Sequence, residues 1–130
     1  MDIVREKGGI PLIVSSLTKY MKSPDMTYSA CFALQSLAMS GENRKTIRGC
    51  GGIPALVTAL RTHMKEVRIC QCACGALTYM SILGEDESRK LVADEGGVEL
   101  ALKALETHPS DPSVCQKACG VLDSMSLDRK

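Results

Sequence analysis

The chain has 130 residues, of which 45% are apolar and 24% are charged. This length and composition are typical of one globular domain or one continuous repeat array, and they exclude a disordered or collagen-like chain. Sixteen basic and 15 acidic side chains leave a net charge of +1, so no overall field attracts nucleic acid or an anionic membrane. Aromatic residues make up 3% and include no tryptophan, which is too few for a platform that stacks nucleic-acid bases.

The location of the protein can be predicted from its apolar runs and its cysteines. No apolar run approaches the roughly 18–20 residues that span a bilayer, and the N-terminus lacks the apolar stretch of a secretory signal. We therefore expect a soluble protein of the cytoplasm, with the nucleus as an alternative. The seven cysteines lie largely among Ala and Leu in helical patterns, which is typical of reduced packing residues. A secreted disulfide framework is the alternative reading of so many cysteines.

One motif recurs along the chain. Gly-Gly pairs stand at Gly8-Gly9, Gly51-Gly52 and Gly96-Gly97, at steps of 43 and 45 residues. Periods of this length are typical of stacked helical repeats. Each pair is followed, 22 residues after its first glycine, by an Ala-Cys pair, namely Ala30-Cys31, Ala73-Cys74 and Ala118-Cys119.

The first unit predicts a medium, a long and a short helix. Ser23-Pro24 resembles an N-cap with proline at the first helical position, and it predicts a long helix to about Ser40. A short helix over about Asn43–Arg48 then ends at the next Gly pair, where glycine tolerates a left-handed exit. The medium helix before them has the i, i+3, i+4, i+7 spacing of one buried face, formed by Ile10, Ile13, Val14 and Leu17.

The second and third units repeat this order. Glu66-Val67 begins the second long helix with a weaker cap, and Asp111-Pro112 begins the third, which runs to Ser126. A short helix over Glu87–Asp94 follows the acidic run Glu85-Asp86-Glu87, which we interpret as a solvated helix start that favours the dipole. The medium helices again have one apolar face, formed by Ile53, Leu56, Val57 and Leu60 and then by Val98, Ala101, Leu102 and Leu105.

These segments resemble the armadillo repeat family. Residues 51–60, Gly-Gly-Ile-Pro-Ala-Leu-Val-Thr-Ala-Leu, look like the second helix of such a repeat, 30–38 like its third helix, and 43–47 like its first. The resemblance covers nearly the whole chain. It implies an all-α fold, a right-handed α-solenoid of about three armadillo repeats with three helices in each repeat.

The resemblance also divides the chain. Residues 1–130 are expected to form a single array, in which 1–7 are the tail of a preceding repeat, 8–50 the first repeat, 51–95 the second and 96–130 an incomplete third. Because Arg129-Lys130 corresponds to the start of another first helix, we interpret the chain as a fragment of a longer array without its natural caps. We then expect apolar edges to mediate self-association, head-to-tail or symmetric, through Ile10, Ile13 and Leu17 at one end and Val121, Met125 and Leu127 at the other. The alternative is that these side chains fold back over the edges.

The third helices of armadillo proteins line a concave groove that holds extended peptides. On a helical wheel with Ala30 facing the core, an opposite arc faces outward, and the resemblance implies that this arc binds a partner. Phe32 and Tyr79 are the leading contacts, and the alternative is a face that is merely solvated or covered by further repeats. We name the arc the third-helix surface; its members are Tyr28, Phe32, Gln35, Ser36, Met39, Gln71, Gly75, Thr78, Tyr79, Ile82, Gln116, Gly120, Asp123, Ser124 and Leu127.

Two specialised grooves of the family do not match. Importin-type repeats carry Trp and Asn four residues apart on this helix, where this chain has Phe32/Ser36, Gly75/Tyr79 and Gly120/Ser124. Recognition of a nuclear-localisation signal by a Trp-Asn ladder is therefore not expected. Catenin-type grooves are rich in basic residues, whereas this arc holds none, with Arg68 and Lys117 near its edge.

Catalytic and metal sites are not expected, and neither is a cofactor. Cys70 and Cys74 lie one helical turn apart while Cys72 points to the other side, so three thiolates do not converge on a metal. His63 and His108 hold equivalent positions at a helix end, which favours loop packing over catalysis. Cys50, beside the glycine turn, is predicted to be the most exposed thiol.

The leading hypothesis is a non-enzymatic scaffold that binds a peptide or protein partner along the third-helix surface. The alternative is a structural spacer or self-association segment of a larger multidomain protein, with no ligand groove of its own. The partner, the pathway and the parent protein are not encoded in any motif of the chain.

Overall fold

The computed structural model describes residues 3–126. Of these described residues, 81% are helical and none lies in a strand. Three successive pairs of a medium and a long helix follow the three Gly pairs. The helices are α1 Ile3–Glu6, α2 Gly9–Lys19, α3 Pro24–Leu37, α4 Gly41–Gly49, α5 Gly52–Thr62, α6 Val67–Thr78 with a π-helical turn Tyr79–Leu83, α7 Asp86–Asp94, α8 Gly97–Thr107 and α9 Pro112–Ser126.

The caps of the long helices differ as the sequence predicts. The Ser23 side chain accepts a hydrogen bond from the Met26 N–H at 3.2 Å, and the Asp111 carboxylate accepts one from the Val114 N–H at 2.9 Å. Glu66, at the start of α6, makes no such bond. α6 is therefore held more by packing than by its cap, since a side-chain cap satisfies one of the orphan N–H donors of the first turn.

The two positions of each Gly pair require glycine for different structural reasons. The first has a left-handed backbone, with φ of 73°, 85° and 91° at Gly8, Gly51 and Gly96, a region that residues with a Cβ rarely adopt. The second lies against the preceding short helix. A Cβ there would lie 2.8–3.0 Å from a carbonyl oxygen, in the pairs Gly9 with Val4, Gly52 with Ile47 and Gly97 with Val92.

The core lies between successive units. α3 packs along α6 and α6 along α9, while α2 contacts α5 and α5 contacts α8. The side chains at these junctions are almost completely buried, as at Leu17, Leu34, Leu56, Leu60 and Leu77. Each unit therefore buries its apolar face against its neighbours rather than within itself, as in repeat proteins generally.

The second long helix ends differently from the first. Where α3 ends at Leu37, α6 continues into the π-helical turn Tyr79–Leu83. A Cβ at Gly84 would collide with the Met80 carbonyl oxygen, so only glycine fits directly after this turn. The π turn accommodates the longer second unit and leaves Ile82 and Leu83 exposed at 41% and 50%.

The acidic run lies at the start of α7. Glu85 is the N-cap residue, and Asp86 and Glu87 stand in the first turn, where negative charge is favourable. Arg48 of α4 pairs with Glu85 and lies 3.3 Å from the Ser88 hydroxyl. The hydrogen bond from Arg48 lowers the pKa of the Glu85 carboxyl. The Arg48–Glu85 ion pair thus links α4 to the start of α7, the next short helix.

The edges of the array differ from the expectation. Ile10, Leu17 and Val121 were expected to lie partly uncovered, but each is at most 1% exposed, because their own unit or its neighbour covers them. Ile13 and Met125 are partly uncovered, as expected. Exposed apolar positions near the edges include Leu12 at 68%, Ile3 at 52% and Leu102 at 49%. Leu127 and the Arg129-Lys130 pair lie outside the described residues.

Within residues 3–126, no helix is both long and apolar enough to cross a membrane.

We predict that Gly52→Ala destabilises the protein by about 1–3 kcal/mol, the usual cost of overpacking. The added Cβ would lie 2.8 Å from the Ile47 carbonyl oxygen. Gly49→Ala is the matched control, because a Cβ there meets nothing within 4 Å and alanine has the higher helix propensity. Urea unfolding followed by circular dichroism measures both. Equal midpoints for the two variants would contradict the role of Gly52.

Candidate partner-binding surface

The third-helix surface is built from the outward faces of α3, α6 with its π turn, and α9. Three apolar side chains stand out on it, with exposed fractions of 52% for Phe32, 65% for Met39 and 41% for Ile82. Met39 and Ile82 occupy the same position in consecutive units. Of the polar members, Ser36, Gln116 and Asp123 are exposed, and Tyr28, Gln35, Gln71, Thr78, Tyr79 and Gly120 are partly buried.

Several members of the surface use their polar groups to join neighbouring units. The Gln71 amide donates to the Asp111 carboxylate at 3.1 Å. The Thr78 hydroxyl lies 2.7 Å from the Lys117 carbonyl oxygen, across the α6–α9 junction. These bonds leave fewer free polar groups for a ligand, and they hold α6 and α9 in fixed register.

Asp111 shows the electrostatic consequence of this arrangement. The Val114 N–H and then the Gln71 amide donate to its carboxylate and lower its pKa. Because the pKa is lower in the folded state, this contribution to stability is present above the unfolded pKa and is lost as the pH falls through the folded pKa. The ionised carboxylate therefore caps α9 and anchors α6 at neutral pH.

Tyr28 forms a small aromatic and cationic cluster at one end of the surface. Its ring lies 5.9 Å from the Phe32 ring in an edge-on arrangement. The Arg68 guanidinium stacks over the Tyr28 ring at 4.3 Å, from the neighbouring α6. The sequence places Arg68 only near the edge of the arc, because a wheel for one helix does not show which residues of the next helix reach across.

The glycines of the surface are packing positions. Gly75 is buried, and a Cβ there would lie 2.8 Å from the Gln35 amide carbon and 3.2 Å from the Lys117 side chain. A Cβ at Gly120 would lie 2.8 Å from the Thr78 methyl group. Glycine at both positions lets adjacent long helices approach closely. Phe32 is the equivalent residue on α3, so it is the one large side chain among these three equivalent positions of α3, α6 and α9.

A shallow cavity of about 190 Å³ opens where α6 meets α9. Gly75 and Thr78 contribute to its lining, Tyr79 and Gln116 bring an aromatic ring and an amide, and Lys117 brings the one positive charge. Four of these five residues belong to the arc that the sequence predicts. Lys117 was expected only at its edge. The cavity offers an apolar wall, hydrogen-bonding groups and a cation within one site.

Ser124 does not lie on the outer face. It is 1% exposed, and its hydroxyl donates to the Val121 carbonyl oxygen at 2.6 Å. The corresponding residues Ser36 and Tyr79 are exposed and partly buried. α9 packs against the π turn of the second unit, and this contact covers a position that the helical wheel assigns to the outside. Leu127 lies outside the described residues.

The cysteines behave as packing residues, with one exception. Cys70 donates to the Met64 carbonyl oxygen at 3.1 Å, while Cys72 faces the Tyr28 carbonyl oxygen of the neighbouring α3 at 3.8 Å, so the two thiols point to different neighbours. Burial raises the pKa of Cys70 and of Cys74 to about 12. In residues 3–126, no three His, Cys, Asp or Glu side chains gather as a metal site.

Cys119 is the exception and corrects two expectations. The sequence groups it with core cysteines and predicts Cys50 as the most exposed thiol. In the structure Cys119 is exposed and Cys50 is partly buried, whereas the equivalent Cys31 and Cys74 are completely buried. The next unit covers Cys31 and Cys74, and no described residue covers Cys119.

Each of the two histidines contacts a loop of the preceding unit through its ring nitrogen. His63 Nε2 lies 2.6 Å from the Met21 carbonyl oxygen, and His108 Nε2 lies 2.7 Å from that of Met64. In each case the histidine ends a medium helix and reaches the corresponding loop of the preceding unit. This is the loop-packing role that their equivalent spacing predicts.

We predict that Cys119 reacts first with a maleimide in the folded protein, well ahead of Cys31, Cys70 and Cys74. The thiolate is the nucleophile, and burial both raises the pKa of Cys70 and Cys74 and blocks access. Brief labelling of dilute protein at pH 8, followed by peptide mass spectrometry, measures the order. Labelling of the denatured protein should find seven free thiols. Slower reaction at Cys119 than at Cys74 would contradict the placement.

The comparisons with known proteins identify one region of this structure. The family model for the armadillo/beta-catenin-like repeat matches residues 42–82. The match begins in α4, includes α5 and α6, and ends in the π turn, so it covers one short, one medium and one long helix. No curated protein and no solved structure matches the chain.

Proposed function

We propose that this chain, whose residues 42–82 match the armadillo repeat, is a non-enzymatic scaffold that binds an extended peptide segment of a protein partner along the third-helix surface. Armadillo repeats generally mediate protein–protein interactions, and the family is generally non-enzymatic. The observation that carries the proposal is the exposure of Phe32 on α3, of Met39 just after α3 and of Ile82 in the π turn that follows α6. Groups of exposed apolar side chains are typical of contact sites.

The repeat organisation of the proposed scaffold extends beyond the matched region. Units 8–50, 51–95 and 96–130 would form successive repeats of a right-handed solenoid. Support comes from the Gly pairs, which have the same left-handed first glycine and the same close approach of the second glycine in every unit. The seven free thiols support a reducing compartment, the cytoplasm or the nucleus.

The rigidity of the surface favours binding. The Gln71–Asp111 and Thr78–Lys117 hydrogen bonds and the Tyr28–Arg68 stack tie the three long helices together below the exposed apolar residues. A ligand therefore meets side chains that are already ordered, so less entropy is lost on binding.

The chemistry of the partner follows from the lining of the surface. An apolar side chain would fill the cavity beside Tyr79, and a second would lie against Phe32. The Gln116 amide is exposed and can bond a peptide backbone group. Lys117 favours a carboxylate near the cavity, so we expect segments with apolar residues and one acidic residue. An extended chain is the best fit, because the surface residues are spread over consecutive long helices and their one cavity is shallow.

A spacer without a ligand groove is the second candidate function. The many bonds between units favour it, because they show that polar groups of the surface already have structural partners. The two functions differ in one measurable respect, since a spacer selects no peptide through Phe32 and Tyr79.

We predict that selection from a random peptide display library on the 130-residue chain enriches apolar segments with an acidic residue. Phe32→Ala with Tyr79→Ala should weaken the selected peptide by about tenfold or more, in line with the roughly 1–2 kcal/mol that an aromatic contact contributes at an interface. Isothermal titration calorimetry measures the dissociation constants.

Tyr20→Ala is the matched control. Tyr20 is also an exposed aromatic residue, at 48%, but it ends α2 in the turn before α3 and is not a member of the third-helix surface. Its variant should bind the peptide as the unmodified chain does. If no peptide is enriched, or if the Phe32 and Tyr79 substitutions have no effect, the chain does not bind through this surface and the spacer function is favoured.

A further inference from the structure

An apolar face at the N-terminal edge of the array is independent of the third-helix surface. It surrounds a cavity of about 250 Å³ between α2 and α3, and Leu12 is its most exposed member at 68%. Ala30 lies at its base. We name this the N-terminal face; its other lining residues are Ile13, Ser16, Met26, Ser29 and Ala33.

Apart from Ala30, which is already buried, the six lining positions of this face are covered in the second unit. Forty-three residues further along the chain, each counterpart is at most 7% exposed. α2 and α3 of the first unit pack against α5 and α6 there. The N-terminal face is therefore one half of a junction that the chain completes elsewhere. The counterparts are Ala55, Leu56, Ala59, Ile69, Cys72 and Ala76.

The C-terminal edge carries the other half of this junction. In the first unit the covering side chains are Val14, Leu17, Cys31 and Leu34, and in the second Val57, Leu60, Cys74 and Leu77; all are at most 5% exposed. In the third unit Leu102 and Cys119 are exposed, while Leu105 and Leu122 are partly buried. We name Leu102, Leu105, Cys119 and Leu122 the C-terminal face.

We propose that a second copy of this chain docks head-to-tail, with its N-terminal face on the C-terminal face of the first. The Leu17-Cys31-Leu34 set recurs as Leu60-Cys74-Leu77 and again as Leu105-Cys119-Leu122. Both internal junctions seat this set on the following unit, so the contact between copies continues an interface that the chain already forms twice.

The sizes and charges of the two faces are compatible. None of the residues that define either face is charged. Leu12 is larger than its counterpart Ala55, but Leu100 occupies the same position in the third unit and lies partly buried at a junction there. A leucine at this position therefore fits between units. Met26 replaces Ile69, and methionine adapts readily to an irregular surface.

The internal junctions also argue against a symmetric dimer. Each one joins unlike faces, and no pair of like faces meets in residues 3–126. An interface between unlike faces is heterologous, so each added copy leaves one free face of each kind. The expected assembly is an open chain that lengthens with concentration.

Leu12→Glu and Leu102→Glu test the proposal by removing one face each. A buried unpaired carboxylate is unfavourable, and both side chains are exposed in the single chain, so the variants should fold. In sedimentation velocity from low to high micromolar concentration, the unmodified chain should grow in mass. Each variant alone should remain monomeric, and an equimolar mixture should form a 1:1 dimer that grows no further.

The mixture of the two variants distinguishes head-to-tail association from a symmetric dimer. Leu12→Glu keeps the C-terminal face and Leu102→Glu keeps the N-terminal face, so together they form one complete junction. A symmetric dimer would lose association with only one of the variants, and mixing would not restore it. Leu83→Glu adds the same charge to an exposed leucine on neither face, and it should associate as the unmodified chain does.

Cys119 provides a second measurement. The proposed contact covers it, so its maleimide labelling should slow as the concentration of the unmodified chain rises. In Leu12→Glu at the same concentrations, labelling should stay fast. Circular dichroism checks that every variant is folded. A monomer at all concentrations, association lost with only one of the two variants, or Cys119 labelling that is independent of concentration would each overturn the proposal.

Discussion

The structure depends on the burial of each long helix against the next. α3 lies along α6 and α6 along α9, and the side chains between them are nearly inaccessible to water. One medium and one long helix present too little apolar surface to form a core alone, since burial must offset the conformational entropy of every ordered residue. Stability in such an array therefore arises mainly at the junctions between units.

Small and polar residues then fix the geometry of these junctions. Gly75 and Gly120 allow neighbouring long helices to approach closely. The His63 and Thr78 side chains bond carbonyl oxygens of adjacent units. An apolar contact alone is not directional, whereas a hydrogen bond has a preferred distance and angle. The apolar contacts thus provide the attraction, and the glycines and hydrogen bonds specify the register.

The same constraint separates two kinds of exposed apolar surface. Phe32, Met39 and Ile82 are exposed in units that have neighbours on one or both sides, so the stacking of units does not cover them. Leu12 and Leu102 are exposed because no unit within residues 3–126 makes with them the repeating contact that buries their counterparts. The first group is suited to a ligand of different structure, and the second to another copy of the same unit. This difference is the physical basis for treating the two surfaces separately.

The sequence by itself determined the helical class, the period and most helix starts. The Gly pairs, the Ser23 and Asp111 caps and the i, i+3, i+4, i+7 faces are local signals, because each depends on residues within a few helical turns. The armadillo resemblance, stated from residues 30–60, is confirmed by the match at 42–82. Of the surface positions on α3, Phe32 and Ser36 are exposed, as the wheel predicts, whereas Tyr28 and Gln35 are partly buried.

Which of the outward positions remain exposed depends on how the neighbouring units pack. Ser124 is buried under the π turn although its wheel position is outward, Lys117 reaches the cavity from a neighbouring helix, and Cys119 is exposed although its equivalents are core residues. The reason is the same in each case. Local periodicity determines the direction of a side chain from its own helix axis, whereas exposure depends on what the adjacent unit places in that direction.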